Sequence, residues 1–287
     1  MRVSRRLAPF AACAALVVLA GCSSTNNDTS TTVPEESSDT SATETSDTTE
    51  TSDTATSDPQ LGDAELDPAV RDITVLVVGD SLAHAMGEGM SQAVSAAADA
   101  EGAPRDVTIV NAAMGGCGLL QPLEQPVDDV MKPTEPTCND YPTTWAGAVE
   151  EYNPDVIYLT TSFWDAFARF IFEEDGPEVT IADPAVQERY VDKATEAIAL
   201  LSANGATVYM DNVNSDIMGD VQQKSVDANS QNAALLNLRG EMCSDTECPA
   251  VIDGITVLDD TGHPSGESQL RLSSWLLNQM AAGSDAE

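Results

Sequence analysis

The sequence predicts an α/β fold, a parallel sheet covered by helices on both faces, and three observations carry that prediction. Short apolar runs rich in Val and Ile recur along the chain. Stretches of helical length separate them. The residues able to do chemistry fall just after those runs, where open α/β sheets bind their ligands.

The strand-like runs are Ile73–Gly79, Val107–Ala112, Val156–Thr160, Thr207–Asp211 and Ile255–Leu258. Each is apolar on successive residues, as in strands buried on both faces. The helix-like stretches are Leu82–Ala100, Thr144–Tyr152, Pro184–Ala203, Val221–Leu238 and Gly266–Ala282. Pro184 suits a helix first turn and Gly205 a helix stop. No internal repeat is visible, and residues 69–287 make one domain of sufficient length for a full core.

The chain ahead of this domain is of a different kind. Arg2, Arg5 and Arg6 precede an apolar stretch, Pro9 to Leu19, that is short for a bilayer span. It ends in Leu19-Ala20-Gly21-Cys22, which resembles a bacterial lipobox with Cys22 as the lipidated residue. An ordinary cleaved signal with an incidental cysteine is the other reading of residues 1–22, and both export the protein. Residues 23–68 are Ser, Thr, Asp, Glu, Asn and Pro with few large apolar side chains, namely Val33, Leu61 and Leu66. Such a segment buries too little surface to offset its ordering entropy, so a disordered linker is expected. A flexible tether of this length spans about 35–40 Å.

The formal charge is -36, from 48 acids against 12 bases. Within residues 69–287, 36 acids face 9 bases. Phosphate backbones need a basic face, so nucleic acid is not an expected partner. Anionic headgroups repel such a domain too, which makes a covalent anchor at Cys22 more useful. Beyond Cys13 and Cys22, four cysteines remain: Cys117, Cys138, Cys243 and Cys248. An even number in an oxidising compartment predicts disulfides. Of three pairings, Cys117–Cys138 and Cys243–Cys248 are preferred because each brackets a polar loop. A metal site is not expected, with two histidines and no Cys-x-x-Cys. No phosphate loop or dinucleotide fingerprint appears, so no cofactor is expected either.

Two fragments carry the chemistry: Val75-Leu-Val-Val-Gly-Asp-Ser-Leu-Ala-His84 and Asp260-Thr-Gly-His263. A serine is a weak nucleophile until a base takes its proton, and an imidazole needs a group to orient it. Gly79-Asp80-Ser81-Leu82 after a strand, a glycine loop (Gly115, Gly116) after the second, and Asp260-x-x-His263 before the last helix resemble the GDSL/SGNH hydrolase family. The resemblance implies a flavodoxin-like three-layer α/β/α sandwich with a five-stranded parallel sheet. It also implies a Ser81 nucleophile, a His263 base and an orienting Asp260. His84, one helical turn past Ser81, is the rival base. Asp259 is the rival carboxylate, expected to belong to the strand and point elsewhere.

The family's oxyanion hole combines the serine N–H, a glycine N–H and an Asn side chain. Here Ser81 and Gly116 match the first two, with Gly115 next in line. The third block departs from the family's Gly-x-Asn-Asp: Thr160-Thr-Ser-Phe-Trp164-Asp165 places Trp164 where the Asn belongs. An indole N–H donates one hydrogen bond, so Trp164 is a candidate donor or a wall of the acyl pocket. Asn212 and Asn214 are weaker candidates. Phe163, Phe167, Phe170, Trp145 and Trp275 read as packing or groove.

The expected function is therefore a serine esterase or O-deacylase acting on acyl esters of cell-envelope glycans or lipids through an acyl-serine intermediate. The alternatives are an O-acyltransferase with the same triad and a non-catalytic acyl-glycan-binding module. The expected state is an exported monomer, held to the outer face of the bacterial membrane through Cys22.

Overall fold

A computed structural model of the protein describes residues 59, 61–68, 70–99, 106–127, 129–212, 215–244 and 248–284. The expected signal segment, Cys22 and the linker through residue 58 lie outside the described residues, as does Asn214. So do the side chains of Phe163 and Phe167. In chain order the elements are β1 (Ile73–Gly79), α1 (Ser81–Ala98), β2 (Val107–Asn111), β3 (Glu124–Val127), β4 (Val130–Pro133), α2 (Pro136–Asn139), α3 (Tyr141–Tyr152), β5 (Val156–Thr160) and α4 (Ser162–Phe167). Then come α5 (Pro184–Leu201), β6 (Thr207–Asp211), α6 (Asp216–Ala228), β7 (Ala233–Leu236), α7 (Leu238–Met242), β8 (Val251–Ile252), β9 (Ile255–Thr256) and α8 (Gly266–Ser284).

The central sheet has five strands in the order β2-β1-β5-β6-β7, every neighbouring pair parallel. This is the three-layer α/β architecture that the sequence predicts. Alternation along each strand divides the core. Val75 and Val77 face one layer with Met86 and Met90 of α1 and Leu272, Leu276 and Met280 of α8. Leu76 and Val78 face the other, with Trp145 of α3, Tyr190 and Ile198 of α5, and Met218 and Val221 of α6. Both faces are dry along Val75–Val78 of β1 and Val156–Leu159 of β5, which is why those stretches read as unbroken apolar runs.

Three expectations are corrected. The fifth strand is Ala233–Leu236, not Ile255–Leu258. The expected helix Val221–Leu238 stops at Ala228, where the side chain of Asn229 donates to the Ser225 carbonyl at 2.7 Å. The Ala-Ala-Leu-Leu run beyond has helix-forming residues, but pairing with β6 overrides that preference. Ile255-Thr256 instead pairs antiparallel with Val251-Ile252 across Asp253-Gly254, both at positive φ. Asp-Gly is the signature of such a two-residue hairpin. Finally, the packed chain starts at Leu61 rather than Ala69. Leu61 and Leu66 are buried beside α8, Ser274 donates to the Ala64 carbonyl at 2.9 Å, and the Asp67 N–H donates to Asn278 at 2.8 Å.

The expected disulfides Cys117–Cys138 and Cys243–Cys248 are both present. Among the described residues no helix is long and apolar enough to cross a membrane.

Candidate active site

The site forms at the carboxyl ends of β1 and β5. Between these strands the sheet order runs β2 to one side and β6 to the other, the switch point at which open α/β sheets leave a crevice. Gly79 ends β1 with φ +132°, and Asp80 then caps α1, accepting from the Leu82 N–H at 2.9 Å. Ser81 is the first residue of α1, so its side chain stands at a helix N-terminus whose amides favour developing negative charge.

His263 meets it across 182 residues of sequence: the Nε2 atom lies 2.8 Å from Ser81 Oγ. That is hydrogen-bond distance for a base taking the hydroxyl proton. His84, the rival base, faces solvent on α1 with its Nε2 3.5 Å from Glu88.

The carboxylate side differs from the expected pattern. Because β9 ends at Thr256, Asp259 belongs to a turn rather than to a strand. Its Oδ1 accepts from the Thr261 N–H at 2.8 Å, from the Thr261 hydroxyl at 2.6 Å and from the His263 N–H at 3.2 Å. The Thr261 hydroxyl also lies 2.9 Å from His263 Nδ1. Donation by the Thr261 hydroxyl is the leading cause that holds the Asp259 carboxyl below its usual range. Asp260 is exposed, while the two imidazole nitrogens lie against Thr261 Oγ1 and Ser81 Oγ.

The glycine loop lies on the other side of Ser81. Its chain continues the sheet pairing, with the Met114 N–H donating to the Gly79 carbonyl at 2.7 Å. A methyl group built on Gly115 would come within 3.9 Å of Ser81 Cβ, and one on Gly116 within 3.7 Å of the Trp164 indole edge. The pair thus separates Ser81 from the indole without a side chain of its own. Gly116 has φ +80°, its carbonyl accepts from Gln125 at 3.0 Å, and the next residue is stapled by Cys117–Cys138. Asn212, by contrast, is spent elsewhere: it donates to Asn237 at 2.7 Å and accepts from the Arg239 N–H at 3.1 Å.

Sequence reasoning missed the clamps that join these blocks. Asp80 and Asp165 are both fully buried. The Asp80 carboxylate reaches over to the Trp164 N–H at 3.3 Å. Asp165 accepts from Leu119 at 2.8 Å and from Leu120 at 3.3 Å, fixing the chain that follows the glycines. A methyl on Gly118 would collide with the Asp165 carboxylate at 2.2 Å, so only glycine lets the loop close on it. Asp211 lies beneath, accepting from the Tyr158 hydroxyl. The signal in the sequence was an acid at the end of each of the runs Ile73–Gly79 and Thr207–Asp211, polar where the core should be dry.

Burial raises the Asp80 carboxyl from 3.8 to about 7 and that of Asp165 from 3.8 to about 6. The folded state therefore holds these protons more tightly than the unfolded chain. Their stabilising contribution is complete below about pH 4 and is lost as pH rises through about 6 and 7. The midpoint of thermal unfolding is expected to fall on the order of 5 °C between pH 5 and pH 8, and Asp80→Asn to flatten the slope. A midpoint that rises over that range refutes the assignment.

The model of one protein family, described as an SGNH domain (fused to AT3 domains), matches residues 46–212, more than half of the chain. No curated protein matches. Among solved structures the chain is similar to one described as TesA, at 16% identity and a TM-score of 0.42, covering 74% of this chain and 98% of that one. It is similar to LAE5, an alpha/beta hydrolase enzyme from the metagenome of Lake Arreo, Spain, at 13% identity and a TM-score of 0.47, covering 74% and 96%. A third is a carbohydrate esterase whose active site is described as displaying divergent catalytic and non-catalytic binding functions, at 13% identity and a TM-score of 0.45, covering 76% and 69%.

Proposed function

The chain belongs to the SGNH hydrolase family, and on that premise we propose that it is a serine esterase or O-deacylase working through an acyl-Ser81 intermediate. The single observation that carries this reading is the 2.8 Å contact between Ser81 Oγ and His263 Nε2. Ser81 Oγ attacks the ester carbonyl carbon while its proton passes to Nε2. The tetrahedral oxyanion lies toward the Ser81 and glycine-loop amides, with Gly116 the matched donor and Gly115 its neighbour. Collapse breaks the ester C–O bond, and the leaving alkoxide takes the proton from Nε2. Water then repeats the sequence on the acyl-serine, releasing the acid and restoring Ser81.

Trp164 fills the position of the family's third oxyanion donor. One such donor contributes about 2.7–4 kcal/mol, so a slower hydrolase than one with the Asn is the expected consequence. The indole against Gly116 also walls the space beside the nucleophile, which favours short acyl groups.

The substrate class we propose is acyl esters on cell-envelope glycans or lipids, for a protein exported and anchored through Cys22. The sequence pattern at Leu19–Cys22 and the acidic linker support that location. Globomycin should block processing of the full-length precursor; unchanged processing removes the anchor from the proposal. An O-acyltransferase is the second reading, in which acyl-Ser81 passes to an acceptor hydroxyl instead of water. The family's description as fused to AT3 domains favours keeping an acceptor in the assay.

Labelling by a fluorophosphonate probe tests the nucleophile. Wild type should label, and Ser81→Ala and His263→Gln should not. A panel of esters with graded acyl length, with and without sugar acceptors, should show turnover that is lost in Ser81→Ala. A wild type that neither labels nor turns over any ester rejects the enzyme and leaves the binding module.

A further inference from the structure

We propose that Gln125 is the positioning residue of the oxyanion hole: from a hairpin outside the central sheet, its side-chain amide pins the Gly116 carbonyl and so aims the Gly116 N–H at the space beside Ser81. The inference rests on the reading of Ser81 as nucleophile and of the Gly116 N–H as a donor to the oxyanion.

With Trp164 in the place of the family's Asn, the matched donors are two backbone amides, and they are held differently. The Ser81 N–H is set by the first turn of α1, which Asp80 caps. Gly116 lies in a loop at φ +80°, next to a second glycine. Glycine gives up more conformational freedom than any other residue when it is fixed, so a Gly-Gly pair aims nothing by itself. Upstream, the loop is held where the Met114 N–H donates to the Gly79 carbonyl at 2.7 Å. Downstream, it is held at the Gly116 carbonyl oxygen, 3.0 Å from Gln125 Nε2. Met114 and the two glycines lie between these bonds, and Cys117–Cys138 staples the residue beyond. Fixing both ends is what gives the Gly116 N–H one direction.

The sense of the Gln125 bond is forced. A carbonyl only accepts, so the side-chain atom that faces it is the amide nitrogen. Gln125 is 5% exposed, and its strand is paired on both edges. On one edge β4 sets Lys132 opposite Gln125. On the other, the Leu123 and Glu124 N–H groups donate to the Ile171 carbonyl at 2.8 and 3.2 Å, and the Ile171 N–H returns to the Glu124 carbonyl at 3.1 Å. Ile171 stands in the segment that follows α4, the helix of Trp164. The hairpin thus joins two blocks of the site, the glycine loop through Gln125 and the Trp164 block through Ile171.

Gln125→Met keeps the length of the side chain and removes the donor. It should lower kcat about 10–100-fold with KM little changed, because a misaimed oxyanion donor is missed only in the transition state. Gln125→Glu separates donor from shape. Its carboxyl donates to the Gly116 carbonyl when protonated and only accepts when ionised. Its kcat relative to wild type at the same pH should therefore rise several-fold on going from about pH 8 to about pH 5. Val130→Ala, an exposed position of the same hairpin, should stay within about twofold of wild type. If Gln125 only satisfied a buried carbonyl, Gln125→Met would lower the unfolding midpoint and leave kcat unchanged, and that result overturns the proposal. Nitrogen-15 relaxation supplies a readout independent of turnover. In Gln125→Met the order parameter of the Gly116 amide should fall from about 0.85 to below about 0.6, while the Ser81 amide stays rigid. An unchanged Gly116 order parameter overturns the proposal whatever the rates. A wild type inert to the fluorophosphonate overturns the hydrolase reading instead, and the relaxation still decides whether Gln125 holds the glycine.

Discussion

Replacing Gly79 with alanine is expected to destabilise the domain by more than about 4 kcal/mol, enough to leave little folded protein at 37 °C. The added methyl group would stand 1.8 Å from the Thr160 carbonyl oxygen, a contact with backbone that no side-chain rotation relieves. The residue also sits at φ +132°, where an L side chain is strained even in open space. Moving Thr160 away breaks the pairing of β1 with β5 and the 3.0 Å bond from the Asp80 N–H to the Thr160 carbonyl. Both hold the turn that presents Ser81. Urea unfolding followed by circular dichroism measures the loss. A midpoint within experimental error of wild type would show that the strand ends move freely, contrary to their close packing.

Asp165→Ala should be the most damaging change that leaves Ser81, His263 and the glycines in place. The amides of Leu119 and Leu120 lose their acceptor inside the core, where an unmet N–H costs about 1–3 kcal/mol. The loop from Gly115 to Leu120 then lacks its fixed end. We expect a drop of about 100-fold in the rate of fluorophosphonate labelling, the scale of a lost oxyanion donor, together with a lower unfolding midpoint. Asp165→Asn, which keeps one acceptor oxygen, should fall between this variant and wild type. Full labelling by Asp165→Ala would mean that the disulfide and Gln125 hold the glycines without help.

Physical legibility varied along the chain in an understandable way. Four strands stood out by their runs of Val, Ile and Leu, and in Val75–Val78 burial on both faces leaves nothing but apolar residues. Ala233–Leu236 did not, since alanine and leucine favour a helix until a neighbouring strand claims them. Ile255–Leu258 has strand composition yet finds its partner across Asp253-Gly254, a turn the pattern contains. Leu61 and Leu66 looked like stray residues of a linker, because their burial depends on a helix more than two hundred residues away. The pairing of Ser81 with His263 was legible because a serine proposed as nucleophile needs a base, and the chain offers two histidines, one of them on the serine's own helix. The two adjacent acids, Asp259 and Asp260, were not separable by composition. Both are exposed, and the backbone N–H groups of the turn, closed by Gly262 at positive φ, bond to Asp259.

The segment from Leu61 to Asp67 has a mechanical meaning. It lies along α8, with hydrogen bonds from Ser274 to Ala64, from Asn278 to Glu65 and from the Asp67 amide to Asn278. Those attachment points are about 12–18 Å along the helix from its first turn, at 1.5 Å per residue. Tension applied through the upstream chain enters the domain at the middle of its last helix and is shared with the sheet through α1. The strand-to-helix turn bearing Ser81 carries none of that load directly. A pull on residue 59 would meet the attachments to α8 before it reaches the turn bearing Ser81.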